Sequence, residues 1–219
     1  ITERVRAEEQ IKASLAEKTV LLKEIHHRVK NSLQTVVSLL NLQANRIEDE
    51  QMLSIIRESQ SRVFTMALIH EELYQSTNLA RVDFSRYVQG LVSQVFYLYD
   101  VSAADITIQA DVEEVALDID TAVWCGLIVN ELVSNSLKHA FPEGRSGVVR
   151  VELRPEEDKY FLMVSDTGVG LPEDLDWQNT DTLGLYLVNT MVGGLSGEIE
   201  LDCSEGTKFK ITFPVSKES

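Results

Sequence analysis

The chain has 219 residues, 44% of them hydrophobic and 25% charged, with a formal net charge of −15 at pH 7. That length can bury a sizeable core and suits one domain or two small ones. The acidic balance argues against nucleic acid or an anionic membrane surface as the main partner, because both would repel it, and favours proteins as docking partners. Cys125 and Cys203 lack CxxC spacing, so neither a disulfide framework nor a zinc site is expected and a reducing, cytoplasmic setting fits. No window approaches the roughly 18 apolar residues of a membrane span, so this segment is expected to make no membrane contact, and no signal-peptide pattern is present. The helical pattern is already running at Ile1, which leads us to expect further chain upstream.

In chain order, Ile11, Leu15, Leu22, Ile25, Val29, Val36 and Gln43 follow a 4-3 spacing, widened by Leu21, Leu33 and Leu40 and interrupted by Lys18 and Ser32. This stripe calls for a partner helix. Met52, Ile55, Ile56, Val63, Met66, Ile69 and Leu73 give a second helical face beyond the polar Glu48 to Gln51. The simplest arrangement is an antiparallel hairpin. One hairpin leaves much of both faces wet, so two hairpins are expected to meet as a four-helix dimer.

The first helix carries Glu24-Ile25-His26-His27-Arg28-Val29-Lys30-Asn31. At 100° per residue the apolar stripe centres roughly 170° from His27 and about 70° from His26. His27 is therefore expected to face solvent and His26 the flank of the bundle. Glu24 and Asn31 share the side of His27 at i−3 and i+4, within hydrogen-bonding reach. His70, on the apolar side of the second helix, reads as a bundle residue.

From about Arg81 the texture changes to mixed helices and strands. A helical run from Asp83 to Tyr99 precedes a strand at Ile106 to Ala110. Asp120 or Thr121 can cap a helix carrying Trp124 to His139. Strands follow at Val148 to Leu153 and Tyr160 to Val164, joined by a polar turn with Pro155 and Asp158. A helix at Leu183 to Met191 and strands at Glu198 to Leu201 and Phe209 to Phe213 complete the pattern. Without a regular βαβ repeat, this reads as an α/β sandwich with helices on one face of a mixed sheet, its core including Trp124, Phe141, Phe209 and Phe213.

Four pieces of this half point to a nucleotide. Glu131, Asn135 and Lys138 recur at i, i+4 and i+7, with His139 adjacent and Leu132, Val133 and Leu137 opposite. An asparagine carbonyl is a hard oxygen donor suited to Mg²⁺, and a lysine can meet phosphates as a point charge. Asp166-Thr167-Gly168-Val169-Gly170 follows a strand, where a carboxylate can accept from an adenine amino group and glycines let backbone pass close to the base. Leu183-Gly184-Leu185 opens a helix whose first N–H groups favour phosphate. Gly206-Thr207 precedes the last strand and can finish the base pocket.

Together these residues make the chain resemble a sensor histidine kinase core: a dimerisation and phosphoacceptor hairpin followed by an ATP-binding domain of the Bergerat type. His27-Arg28-Val29-Lys30-Asn31-Ser32-Leu33 is similar to the HRxKN phosphoacceptor box, related to that of the HWE kinases. The resemblance implies His27 as the phosphorylated residue, with His26 as the alternative. It also implies Asn135 as the Mg²⁺ ligand, Glu131 as its partner, Asp166 as the adenine reader, and Gly168, Gly170, Gly184 and Thr207 as parts of the ATP pocket. Residues 1–18 would be a signalling linker helix, its start similar to the helix leaving a PAS sensor domain. Residues 19–80 would form the hairpin and 81–216 the ATP-binding domain. Val164-Ser165-Asp166 stands where HWE kinases have Trp-x-Glu, which sets the chain beside that group. The stretch from Gly170 to Gly184 is short and lacks a phenylalanine box, implying a small ATP lid. Arg28 occupies the place of the usual acidic base, leaving Glu24 and then Glu131 as candidates.

The activity implied is in-line attack of a His27 nitrogen on the γ-phosphorus of ATP, with phosphates held by Lys138 and the Gly184 backbone. The phosphoryl group would pass to an aspartate of a response-regulator receiver domain. Asn31 stands where family members with phosphatase activity position a water. Two rival readings use the same residues: an ATPase or serine-directed kinase on the ATP fold, and a phosphotransfer scaffold with a silent ATP domain.

Overall fold

A computed structural model of the chain describes residues 2–75, 81–99, 106–172, 175–178 and 182–215. Helix α1 (Thr2–Ala44) and helix α2 (Glu50–Gln75) form the expected hairpin. Contacts of His26 with His70 and of Asn41 with Gln60 make the pair antiparallel. The link is tight: Arg46 N–H and Ile47 N–H donate to the carbonyls of Gln43 and Ala44, and Asp49 Oδ1 accepts from Met52 N–H to start α2.

Within one chain, α2 does not cover the 4-3 stripe. Ile11, Leu15, Leu22, Ile25 and Val36 stay exposed, and α2 lies instead on the neighbouring face that carries His26. The apolar face expected on α2 also needs correction. Ile69 and Leu73 are fully buried, but Met52, Ile55 and Met66 are exposed, while Gln60, Ser61 and Thr65 are buried. Those polar side chains satisfy themselves by hydrogen bonds to Asn41, Asn130 and the Ser61 carbonyl, which removes the penalty that would otherwise keep them at the surface.

The second half begins with strand β1 (Arg81–Asp83) and helix α3 (Phe84–Leu98), whose N-cap is Asp83. Strands β2 (Ile106–Val112) and β3 (Ala116–Asp118) lead into helix α4 (Ile119–Asn135). The cap of α4 is Asp118, not Asp120 or Thr121: its two carboxylate oxygens take Thr121 N–H at 2.9 Å and Thr121 O–H at 2.7 Å. The small antiparallel pair of β1 and β3, unread in the sequence because each has only three residues, supplies both caps.

Strands β4 (Gly147–Glu156) and β5 (Lys159–Asp166), helix α5 (Leu183–Gly194), and strands β6 (Glu198–Asp202) and β7 (Thr207–Pro214) follow. The β4–β5 turn is narrower than expected, since Pro155 still pairs with Tyr160 in the ladder. The main sheet runs β2-β4-β5-β7-β6, with β2 and β4 parallel and the rest antiparallel. Alternation gives it one buried face: Val149, Val151 and Leu153 of β4 and Phe209, Ile211 and Phe213 of β7 point into the helical layer. This is the expected mixed-sheet sandwich. The two halves share one core, in which Ile69 and Leu73 of α2 join Phe84, Tyr87, Val88 and Leu91 of α3. The expected boundary at residue 80 falls in 76–80, outside the described residues.

Candidate functional site

Strand β5 ends at Asp166, directly beside the start of β7 at Thr207. Asp166 is buried and its carboxylate is held on both oxygens: Ser136 O–H donates to Oδ2 at 2.8 Å, while Gly168 N–H and Thr207 N–H donate to Oδ1 at 2.9 and 3.2 Å. Both flanking turns are tight enough to need glycine. A Cβ on Gly168 would sit 2.4 Å from the Ala140 carbonyl oxygen, and one on Gly206, whose φ is +79°, would sit 2.0 Å from the Asp166 carbonyl oxygen.

Helix α4 does not run on as an α-helix to His139. Its last turn, Ser136–Ala140, is π-helical. Ser136, whose N–H still makes the α-helical bond to the Leu132 carbonyl, sets its hydroxyl on Asp166 just as the turn widens, a local irregularity of the sort that accompanies functional sites. It ends with Ala140, whose carbonyl accepts from Val169 N–H and so ties the Asp166 loop to α4.

Between α4, the β5 loop, α5 and β7 lies a cavity of about 480 Å³, in the usual range for a small-molecule site. Glu131, Asn135, Lys138, His139, Asp166, Gly170, Leu183, Gly184, Leu185 and Thr207 all line it. Gly168 adjoins it through its bond to Asp166. Asn135 and Glu131 meet the first turn of α5, since a Cβ on Gly184 would lie 3.2 Å from Glu131 Oε2 and 3.6 Å from Asn135 Nδ2. Helix first-turn N–H groups have no intrahelical acceptor and favour anions. The Asn135 amide there offers a hard oxygen donor of the kind that suits Mg²⁺ when the remaining ligands are water and phosphate oxygens, with Glu131 beside it. His139 stands at the rim, its imidazole held below its ordinary range by partial burial and by Lys138, with Glu58 opposing. In the stretch after Gly170, Trp177 packs edge-on against Phe209 and its carbonyl accepts from Asn189, an aromatic anchor not singled out in the sequence. Residues 173, 174 and 179–181 of that stretch lie outside the described residues.

Four functional candidates lie elsewhere, on the hairpin. His27 is exposed and His26 is buried at 8% exposure, the split expected from helical geometry. Asn31 Nδ2 is 3.5 Å from His27 Nδ1. Glu24 takes a 2.7 Å hydrogen bond from Arg28 Nε, which holds its carboxyl below the usual range. The His27 ring also touches that of Tyr74. His26 Nδ1 is 3.0 Å from His70 Nδ1, so one imidazole donates and the other accepts, and burial pushes both below the ordinary range of histidine.

Sequence reading missed the residues that join the two parts. Arg62 of α2 grips Glu131, with Nε 2.7 Å from Oε1 and Nη2 2.9 Å from Oε2, and Glu131 is 4% exposed. Glu58 of α2 pairs with Lys138, whose Nζ lies over the Tyr99 ring. Ser61 Oγ donates to Asn130 Oδ1. An i,i+4 charged pair on a helix gives no signal that separates such a contact from an ordinary solvated face.

An exposed imidazole on a helical hairpin, joined to a mixed-sheet sandwich that shapes a cavity from acidic, amide and glycine-rich elements, defines a nucleotide-site protein with its own candidate acceptor. Residues 24–99 match the family model described as histidine kinase, and residues 121–217 match that of the histidine kinase-, DNA gyrase B- and HSP90-like ATPases. The chain belongs to the histidine kinase family. It is 33% identical over 210 residues to the sensor histidine kinase PdtaS of Mycobacterium tuberculosis, covering 93% of this chain and 41% of that protein. Blue-light-activated histidine kinase 2 of Erythrobacter litoralis is 31% identical over 205 residues, covering 90% of this chain and 58% of that protein. The solved histidine kinase domain of a blue-light-activated kinase from Erythrobacter litoralis superposes with a TM-score of 0.69 at 25% identity, over 91% of this chain and 94% of that one. The chain thus spans between two fifths and three fifths of the length of these two curated relatives.

Proposed function

We propose that the chain is the transmitter core of a two-component sensor kinase: it phosphorylates His27 with ATP and passes the phosphoryl group to an aspartate of a response-regulator receiver domain. The observation that carries this reading is the pairing, in one chain, of an exposed His27 beside Asn31 with a cavity lined by Asn135, Asp166 and the first turn of α5.

In this reading Asp166 accepts from the adenine amino group, its geometry preset by Ser136, Gly168 and Thr207. Lys138 and the first N–H groups of α5 hold the phosphates. Asn135, with Glu131 beside it, would hold Mg²⁺, which when bound supplies charge neutralisation on the phosphates. The unprotonated nitrogen of His27 attacks the γ-phosphorus as the bond to the leaving ADP oxygen breaks, giving an acid-labile phosphoramidate. Glu24 is tied to Arg28, which leaves it a weak base, and both oxygens of Glu131 are engaged by Arg62. His27 stands beside Tyr74 while Glu58, sixteen residues earlier on α2, lines the cavity, a separation of ~24 Å along the helix axis. Transfer therefore needs either a shift of the ATP-binding domain along the hairpin or a His27 from a second chain.

The exposed stripe of α1 supports a homodimer, and Asn31 supports dephosphorylation of the regulator. Residues 1–18 act as the linker from an upstream sensor domain, 19–80 as the phosphoacceptor hairpin and 81–216 as the ATP-binding domain, within a cytoplasmic segment.

The test is transfer of label from γ-labelled ATP with Mg²⁺. Acid-labile, alkali-stable label should appear on the wild-type chain and vanish in His27→Gln and Asn135→Ala. Loss only in His26→Gln would move the acceptor by one residue. Label that survives His27→Gln and is acid-stable would mark a serine-directed kinase, and absence of label despite ATP binding would mark a phosphotransfer scaffold.

A further inference from the structure

Where α2 crosses α4, two carboxylates and two cations meet. Glu58 pairs with Lys138, Arg62 grips both oxygens of Glu131, and Arg62 Nη2 also lies 3.4 Å from Glu58 Oε2. The four charges balance and are largely withdrawn from water: side-chain exposure is 14% for Arg62 and 18% for Lys138. Glu58 is itself part of the cavity wall. The hairpin thus sets a carboxylate at the end of the cavity where Lys138, Asn135 and the first turn of α5 gather, the end that suits phosphates.

A bound polyphosphate and Glu58 would compete for the same ammonium group, and in a partly desolvated setting their mutual repulsion is far stronger than in bulk water. Arg62 offers a way out. It sits one turn beyond Glu58 on the same helix, so it can accept the carboxylate that Lys138 gives up, and in doing so it loosens its hold on Glu131.

We propose that Glu58 and Arg62 form an ionic latch that holds the hairpin against the nucleotide domain, and that nucleotide phosphates open it by taking Lys138 from Glu58. The latched arrangement is a resting one, with His27 displaced along the hairpin from the cavity. Phosphate binding frees Lys138 and then Glu131, and α2 loosens over its polar section while the apolar seam of Ile69 and Leu73 against α3 remains the pivot. Because linkage is reciprocal, a latch that nucleotide opens must itself weaken nucleotide binding.

The proposal rests on the nucleotide reading of the cavity, and the experiment separates the two. Calorimetric binding of a non-hydrolysable ATP analogue with Mg²⁺ is compared between the wild-type chain and Glu58→Gln, a change at a partly exposed position that keeps the side-chain shape. Glu58→Gln should bind the analogue about fivefold more tightly or better. In the wild-type chain the analogue should speed hydrogen exchange of α2 amides around residues 56–64. Equal or weaker binding by Glu58→Gln, or unchanged or slower exchange in α2, overturns the latch while leaving the nucleotide site intact. A wild-type chain that binds no analogue overturns the nucleotide reading itself.

Discussion

Asp166 is specified by its neighbours more than by its own chemistry. Replacing it with alanine would leave the Gly168 and Thr207 N–H groups and the Ser136 hydroxyl without their acceptor, at about 1–3 kcal/mol for each that stays dry. Asp166→Asn is the more informative change. Its amide oxygen still serves the two N–H groups, and the Ser136 hydroxyl can rotate to accept from the new NH₂. Asp166→Asn should therefore melt within a few degrees of the wild type yet bind ATP analogue at least about tenfold more weakly, a loss of about 1.4 kcal/mol. Retained affinity would remove Asp166 from base recognition. Asn31 is tested one chemical step later. Asn31→Ala should slow dephosphorylation of a phosphorylated regulator by about a hundredfold, the low end of what a single positioned group contributes, and an unchanged rate would end that assignment.

At the scale of elements, the hairpin contains a titratable joint. His26 and His70 share one hydrogen bond between Nδ1 atoms, inside a site that also has Lys30 paired with Glu71 at 2.7 Å and His27 against Tyr74. Burial lowers the pKa of both imidazoles, and His26 lowers that of His70 further. A histidine held below its ordinary value near 6.5 binds fewer protons folded than unfolded, so its contribution to stability is present above that value and is lost as pH falls below it. Thermal melting of the chain should thus fall between about pH 7.5 and 5.5, and more steeply in the wild type than in a His26→Asn, His70→Asn double variant. Equal slopes would show that other groups set the acid sensitivity. The π-helical turn at Ser136–Ala140 is a second element with a defined place, since it runs from the residue that bonds Asp166 to the carbonyl that ties down Val169.

For the whole molecule, the open question of partners falls on the exposed side of α1. Leu15, Leu22, Ile25, Val36 and Leu39 lie bare over several turns of one helix, and nothing among the described residues covers them. Apolar surface of that extent on a helix is a stripe made for another helix. Ile25→Glu together with Leu22→Glu should convert a dimer into a monomer in sedimentation while leaving ATP binding unchanged, since neither residue lies near the cavity. A wild-type chain that sediments as a monomer at high concentration would remove the dimer from the proposal.

Much of this protein is legible in the sequence because it depends on short-range rules. Helical periodicity split His26 from His27, with one buried and one exposed. Strand alternation located the sheet, and the Asp166 to Gly170 turn after β5 marked one wall of the cavity. The motif spacing carried the family. What failed was long-range. The sequence could not say that α2 buries Gln60, Ser61 and Thr65, because a polar side chain goes inside only when a distant partner satisfies it. It did not reveal that Asp118 caps α4 from a strand paired with β1, or that α4 changes pitch at Ser136. Above all, local pattern gives the chemistry each residue has to offer, and tertiary structure decides what it meets: Glu131 and Lys138 read as parts of a nucleotide pocket, and only the packing of α2 across α4 put Arg62 and Glu58 on them.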